Sequence, residues 1–493
     1  MPNSHVENNK VEEDSNVKIV QTDEGNQNGQ TKCPKCGATD ISLDVQSGKL
    51  RCNFCRFTFE NKKVEGIEED ASKLSGKTVA SGAKDIDPNA LDIITIKCSS
   101  CGAEVVIDTA SVTQARCHWC RNTLSINQQI PNGAVPDIVL PFKLKKEEAR
   151  KSIETFVHKR NFFALPKFKK EFTTENIMGV YFPYMVVDAN AHALFEGEGE
   201  HLIRSYTVST GDSSQTYYDA DLYYVEREFD IAIDDLTVES SKDKLNNSSN
   251  SKTNNVINAI MPFDIENAVK WDANYLKGYT SEKRDVNVSD LSPLVKTQVV
   301  DISRFAANDS LSFYDRGVAW TKQEVDVKGS QWSAAYLPVW LYSYQQIKGS
   351  KHILHYVAVN ARTNETMGSV PINMPRLLLI SAIIEMFCFW LTVQVDSDVE
   401  WVFLTIGVAF YLIMYNRYRN KSARHRHELE TKNKVDNLRE VDNLLKRRNH
   451  LSNSKIVGMN NRSVNGSTID KSNFTNLLDK VSDSKNIHIG IKK

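Results

Sequence analysis

The sequence predicts a multidomain chain: two small β modules near the N-terminus, a duplicated α+β region, and a C-terminal two-helix transmembrane hairpin. Three observations predict it. Eight of the nine cysteines stand in four Cys-x-x-Cys pairs between Cys33 and Cys120. An aromatic, proline-centred strand motif occurs at 180–187 and again at 335–341. Two long apolar runs near the C-terminus are joined only by Asp396-Ser397-Asp398. A chain of 493 residues has room for several domains, and Lys+Arg 61 against Asp+Glu 62 leaves a net charge of -1. Any attraction to nucleic acid must come from a local patch.

Residues 1–31 are polar and acidic and are expected to form a disordered tail. They lack a basic-then-apolar pattern, so no secretory signal is expected. Cysteines grouped in Cys-x-x-Cys pairs suggest thiolate ligands kept reduced inside a cell rather than disulfide staples.

The two cysteine modules are expected at 32–62 and 96–126, joined by a linker at 63–95. Each has a Cys-x-x-Cys pair, fifteen residues, and a second pair, which marks an internal repeat. A fifteen-residue excursion is long enough for a hairpin that returns the second pair to the first. Zn²⁺ takes four thiolates tetrahedrally, so Cys33, Cys36, Cys52 and Cys55 are expected to hold one ion. Cys98, Cys101, Cys117 and Cys120 are expected to hold a second. Gly37 and Gly102 follow the second cysteine of each first pair and suit its tight backbone. An iron–sulfur cluster could also use four cysteines, but the repeated hairpin spacing favours zinc. A redox dithiol would leave the second pair unexplained. Four protein ligands close each site, so both zinc ions are expected to be structural. His118, inside a complete quartet, is expected at the surface rather than on the metal.

The first ribbon carries Lys32, Lys35, Lys49, Arg51, Arg56, Lys62 and Lys63 against Asp40, Asp44 and Glu60. A zinc tetrathiolate is itself negative and offsets half of that surplus. Phe54, Phe57 and Phe59 are expected to form its miniature core. The second ribbon is less basic. Protein contact is favoured over nucleic-acid contact for both, and the latter stays open.

Residues 138–375 are expected to form the cytosolic α+β region, with a flexible Ser/Asn/Lys loop at about 240–256. Ile153, Phe156 and Val157 have helical spacing, and 191–233 reads as a run of strands. Glu196-Gly197-Glu198-Gly199-Glu200 is expected to be a solvated strand face. Ser75-Gly76-Lys77-Thr78 resembles the end of a phosphate loop, but Ala71 replaces its leading glycine. No HExxH, GxSxG or GxGxxG motif is present. No catalytic or cofactor-binding residue is expected, and the chain reads as a non-enzyme.

Residues 377–395 are apolar enough, at ~28 Å of helix, to cross a ~30 Å hydrocarbon core. Residues 399–415 are expected to return as the second transmembrane helix. Arg376, Arg417, Arg419, Lys421, Arg424 and Arg426 flank the pair, whereas the connecting turn is acidic. The positive-inside rule then places both termini of a multi-pass cell-membrane protein in the cytoplasm. Glu385, inside the first run, is expected either to bond within the hairpin or to join a partner. The basic tail at 417–493 is expected to be helical through Leu429, Val435, Leu438, Val441 and Leu445, then disordered.

The ordered set of motifs resembles a family of bacterial membrane proteins carrying a transcription factor IIB-type zinc ribbon. Besides the cysteine quartets, the likeness rests on Pro141-Phe142-Lys143, Gly179-Val180-Tyr181-Phe182-Pro183-Tyr184, Tyr275-Leu276-Lys277-Gly278-Tyr279, and Leu337-Pro338-Val339-Trp340 with Val359-Asn360. It covers about residues 32–415. The resemblance implies a membrane adaptor in envelope-stress response, with phage shock protein A-like or membrane-organising SPFH-type partners. The expected function is therefore a membrane-anchored zinc-ribbon scaffold that recruits cytosolic proteins to the bilayer. The alternative is a membrane-tethered nucleic-acid-binding regulator that uses its ribbons.

Overall fold

The computed structural model describes residues 17–20, 22, 32–38, 40–60, 64, 70–86, 94–97, 103–107, 115–119, 123–124, 130–131, 136–210, 213–241, 260–276, 278–282, 284, 286–348, 351–394, 405–419 and 426–452. The chain forms two compact units. The first takes the described residues up to Leu194, together with Glu228–Ala307 and Gln323–Arg439. The second takes Phe195–Arg227, Asn308–Lys322 and the residues from Glu440 onward. The expected loop at 240–256 lies almost wholly outside the described residues, as do the acidic turn at 396–398 and the tail beyond 452.

The N-terminal strands are β1 (Val17–Val20), β2 (Ile41–Asp44), β3 (Lys49–Cys52), β4 (Thr58–Phe59) and β5 (Gly76–Ala80). Next come β6 (Ile94–Lys97), β7 (Glu104–Ile107), β8 (Ala115–Arg116), β9 (Thr123–Leu124), β10 (Ile130–Pro131) and β11 (Ile138–Val139). The long strands β12 (Met178–Thr210) and β13 (Ser213–Glu239) follow, then β14 (Val269–Lys270), β15 (Thr280–Glu282) and β16 (Val318–Lys348). The last three are β17 (Lys351–Asn360), β18 (Thr366–Gly368) and β19 (Lys432–Ser452). The main helices are α1 (Lys146–His158), α2 (Pro166–Glu171), α3 (Val288–Ala306), α4 (Met374–Gln394), α5 (Ile406–Arg419) and the short α6 (His427–Glu430).

The first unit rests on a mixed sheet in the order β1-β5-β16-β12-β15-β7-β6-β10. β5 runs parallel to β1 on one side and to β16 on the other, with Gly76 opposite Gly329. β16 also pairs antiparallel with β17, Val339 opposite Asn360. The expected division into two α+β copies is not found. One large, predominantly β sheet takes its place, and the two echoing motifs are neighbouring strands within it. Their alternation explains why both read as unbroken apolar runs. Val180, Phe182 and Tyr184 face one core with Leu337, Leu341 and Trp119. Tyr181 faces the other with Tyr336, Trp340 and Phe142. Successive side chains point to opposite faces, and here both faces are covered.

The four segments that carry the family resemblance meet at one aromatic cluster. Phe142 stacks on Tyr279 with ring centroids 4.2 Å apart and meets Tyr181 and Trp340 edge-on at 5.0 Å. Gly179 passes directly under Tyr279, where an added Cβ would lie 2.4 Å from the ring. Helix α1 covers this core with Ala149, Ile153, Phe156 and Val157, all buried and all on one face.

The two-helix transmembrane hairpin is also corrected. Among the described residues, one helix is long and apolar enough to cross a membrane, at Met374–Thr392. The second helix, α5, has 14 residues. It spans only ~21 Å, short of the ~30 Å that a bilayer core requires. Its start at Ile406 is set by Glu385, whose Oε2 accepts the Gly407 N–H at 2.7 Å. The carboxylate thus caps the N-terminus of α5, the internal of the two expected roles. An added Cβ at Gly407 would lie 2.6 Å from that oxygen and from the Ser381 carbonyl.

The tail is the third correction. Where a helix was expected through Leu429 to Leu445, β19 is a 21-residue strand paired with β13. The apolar residues at helical spacing do not form a buried stripe, since Leu438 and Leu445 are exposed. Cross-strand charge pairs decide the matter instead. In the first unit Arg439 pairs with Glu228 at 3.1 Å. In the second unit Asp442 accepts from both Arg227 and Tyr314, and Arg448 pairs with Glu200 at 2.8 Å. Glu200, expected on a solvated face, is buried. Its neighbours Gly197 and Gly199 leave room for Trp320 and Tyr314. β1 likewise gives order to residues expected in the disordered tail.

Two substitutions test the aromatic cluster. Phe142→Ala is expected to lower stability by about 3–5 kcal/mol, the cost of a large cavity. Gly179→Ala is expected to cost about 1–3 kcal/mol by overpacking against Tyr279. Urea unfolding followed by tryptophan fluorescence measures both.

Candidate metal centre

The first ribbon folds as a three-stranded antiparallel sheet, β2-β3-β4, with Ile41 opposite Cys52 and Leu50 opposite Phe59. Gly48, with a φ of 71°, closes the β2–β3 turn by donating its N–H to the Asp44 carbonyl at 2.8 Å. Each Cys-x-x-Cys pair forms a matching knuckle. Gly37 donates to the Cys33 carbonyl at 2.8 Å, and Arg56 donates to the Cys52 carbonyl at 2.9 Å. Both hold a left-handed backbone, with φ of 70° and 61°. Arg56 is the residue that sequence inspection missed, because an arginine there carries none of glycine's turn signal.

The knuckles bring the four sulfurs together. Cys33 and Cys55 Sγ are 3.6 Å apart, as are Cys36 and Cys52 Sγ. All four ligand atoms lie within 4.8 Å of one another, a group that could hold a metal ion. Sulfurs ~2.3 Å from a tetrahedral metal stand ~3.8 Å apart, so the arrangement fits a four-thiolate site. Cys33 and Cys52 are buried, Cys55 is partly buried and Cys36 is exposed.

The electrostatics of the bare site are unbalanced. Burial raises the Cys33 thiol, but the backbone N–H groups of Cys36 and Lys35 outweigh it and bring it to about 7. At Cys36 the backbone N–H of Ala38 favours the thiolate, yet burial and the three neighbouring sulfurs push it up to about 12. Four sulfurs this close need a cation to be thiolates together.

Two of the three aromatic residues, Phe54 and Phe57, are placed differently from expectation, while Phe59 packs against the core. Phe54 is 81% exposed, Phe57 is exposed with Lys35 5.8 Å from its ring, and Phe59 is half-buried. The buried apolar residues are Ile41 and Leu50 with Cys33 and Cys52, which belong to the same cluster as Phe142 and Tyr275. The ribbon therefore has no core of its own and shares that of the sheet.

Of the second quartet, Cys98, Cys101 and Cys120 lie outside the described residues, and Cys117 is fully buried. One four-cysteine group is therefore seen among the described residues. His118, expected at the surface, is 1% exposed, packed against Trp119 and Phe182. Its carbonyl accepts from Ser343 at 2.8 Å, which ties this segment to β16.

Tertiary structure also gathers Asp188, Asp234 and Asp235, which no sequence motif marks. Asp188 accepts the Asp235 N–H at 2.9 Å, and Lys432 lies 3.4 Å from Asp235. Burial, then the charges of Asp234 and Asp235, hold the Asp188 carboxyl up at about 7, against the pull of the Asp235 N–H. An unfolded aspartate titrates near ~3.9, so at intermediate pH the folded chain holds the extra proton. This group's contribution is full below about pH 4 and is lost as pH rises to about 7.

Asp188→Asn is accordingly expected to flatten the fall in the urea midpoint between about pH 4 and 7. For the metal centre, Cys33→Ser is expected to remove one metal ion per chain, as read by elemental analysis of the purified protein. Content unchanged by that substitution would exclude the site.

No family model and no solved structure matches this chain. Over 352 residues it is 23% identical to the uncharacterized protein YdjG of Bacillus subtilis (strain 168), a match covering 69% of this chain and 90% of that protein.

Proposed function

We propose that this chain is a zinc-binding, membrane-attached scaffold that presents its ribbon to protein partners at the bilayer. The observation that carries the reading is the outward apolar face of α4. Leu378, Leu379, Ile383, Met386, Phe387, Phe389 and Trp390 are each more than half exposed. An apolar surface of this extent is unfavourable in water and matches a hydrocarbon environment. A single helix is sufficient for the attachment.

Zinc is the metal this donor set favours, because four thiolates with closed tetrahedral geometry suit it. A second ion would follow if Cys98, Cys101 and Cys120 close around Cys117 in the same way. Filled sites of this kind stabilise the fold and leave no open coordination position for catalysis. The exposed Phe54 and Phe57, beside Lys35, offer an aromatic and basic contact for a partner. Phage shock protein A-like or SPFH-type proteins in an envelope-stress response are the partners suggested by the family resemblance.

A second reading, nucleic-acid contact, is favoured by the same exposed Phe54, since unstacked bases pack on such rings. Salt-dependent retention of the full chain on single-stranded DNA, lost in Phe54→Ala, would select it over the scaffold reading.

The membrane reading is tested by fractionation. The chain is expected to sediment with membranes and resist alkaline carbonate, whereas a chain lacking 374–394 is released. For the scaffold role, crosslinking in intact membranes is expected to recover a protein partner that Phe54→Ala reduces. A carbonate-soluble full chain would overturn the attachment.

A further inference from the structure

Three cationic side chains converge where α4 begins, α5 ends and the turn Asn161–Phe163 meets them. Arg160 donates to the Phe156 carbonyl at 3.2 Å and to the Arg417 carbonyl at 3.3 Å, tying the ends of α1 and α5 together. The Arg376 guanidinium lies 4.3 Å over the ring of Phe162, which is itself 57% exposed. The Arg417 side chain is exposed on the last turn of α5. The Tyr418 hydroxyl accepts the Phe163 N–H at 3.0 Å and feels the charges of Arg417, Arg160 and Arg376.

None of these three guanidinium groups has a carboxylate partner among the described residues. By contrast, Arg362 pairs with Asp264 and Arg227 with Asp442. Here Arg160 lies against the Arg417 backbone and within reach of its charge. Burial, and after it the charge of Arg417, bring Arg160 down to about 10.

The position of the cluster indicates which anion. It lies at the N-terminal end of the exposed apolar helix, beside an exposed phenylalanine. Aromatic rings and arginines in this arrangement suit the boundary between acyl chains and headgroups. We infer that Arg376 and Arg417, with Arg160 behind them, bind the phosphate of an anionic phospholipid headgroup when α4 enters the bilayer. The inference rests on the membrane reading and adds a lipid partner to it. Two guanidinium groups can donate to separate phosphate oxygens, and Arg160 supplies a fixed charge.

The test is flotation of the purified full chain with phosphatidylcholine vesicles and with vesicles also containing phosphatidylglycerol. Wild type is expected to float with both, needing about tenfold less lipid when phosphatidylglycerol is present. R376Q/R417Q is expected to float equally with both, because α4 is intact. R376K/R417K should keep part of the preference, showing that charge rather than misfolding is responsible. Millimolar inorganic phosphate should leave the wild-type preference in place. A wild type indifferent to phosphatidylglycerol, or a glutamine variant that keeps the preference, overturns the inference and leaves the membrane reading standing. Loss of the preference in inorganic phosphate would identify a free-phosphate site and overturn the lipid assignment. A chain that floats with neither vesicle overturns the membrane reading and this inference together.

Discussion

The contact between Gly179 and the ring of Tyr279 is the constraint around which the first unit is arranged. Tyr279 can lie flat on Phe142 only because β12 presents no side chain beneath it. That stack fixes Tyr279 against the sheet, and Trp340 on β16 closes over it. Four stretches far apart in sequence are thereby brought to one point. Aromatic pairs are each worth only about 0.5–1.5 kcal/mol beyond their burial, so the cluster acts by geometry as much as by energy.

The cysteine ribbon depends on this arrangement. A hairpin of this size buries too little to fold alone, and metal binding ordinarily makes up the difference. Here Ile41, Leu50 and the two buried cysteines also join the cluster that holds Phe142 and Tyr275. A metal ion held by the four cysteines and the sheet core would act on the same few residues. Of the ribbon's phenylalanines only Phe59 packs against this core, and Phe54 faces solvent.

Polar groups determine the ends of the helices that pack on the same cluster. Glu385 accepts the Gly407 N–H in the first turn of α5, so that helix starts against the middle of α4. Tyr418 accepts from Phe163, and Val370 donates to the Tyr418 carbonyl at 2.9 Å, so α5 ends on the sheet. Among the described residues, the outward apolar side chains of α4 gain no such partners.

Local spacing determined the cysteine quartet at Cys33, Cys36, Cys52 and Cys55, because two tight turns and one hairpin suffice to gather four sulfurs. It also determined α1, whose apolar residues recur every third or fourth position, and the apolar character of α4. It did not reveal that the echoing motifs are neighbours in one sheet, since strand pairing joins residues more than a hundred positions apart. The helical spacing in the tail was overridden by acids on β13 and elsewhere that pair with arginines on β19. The start of α5 is met by a carboxylate 22 residues earlier and its end by Phe163 and Val370. Burial of His118 was decided in the same way, by Phe182 from a distant strand. What the sequence alone determined is short-range geometry; what required the tertiary structure is each side chain's partner, because burial and charge pairing are properties of neighbours in space.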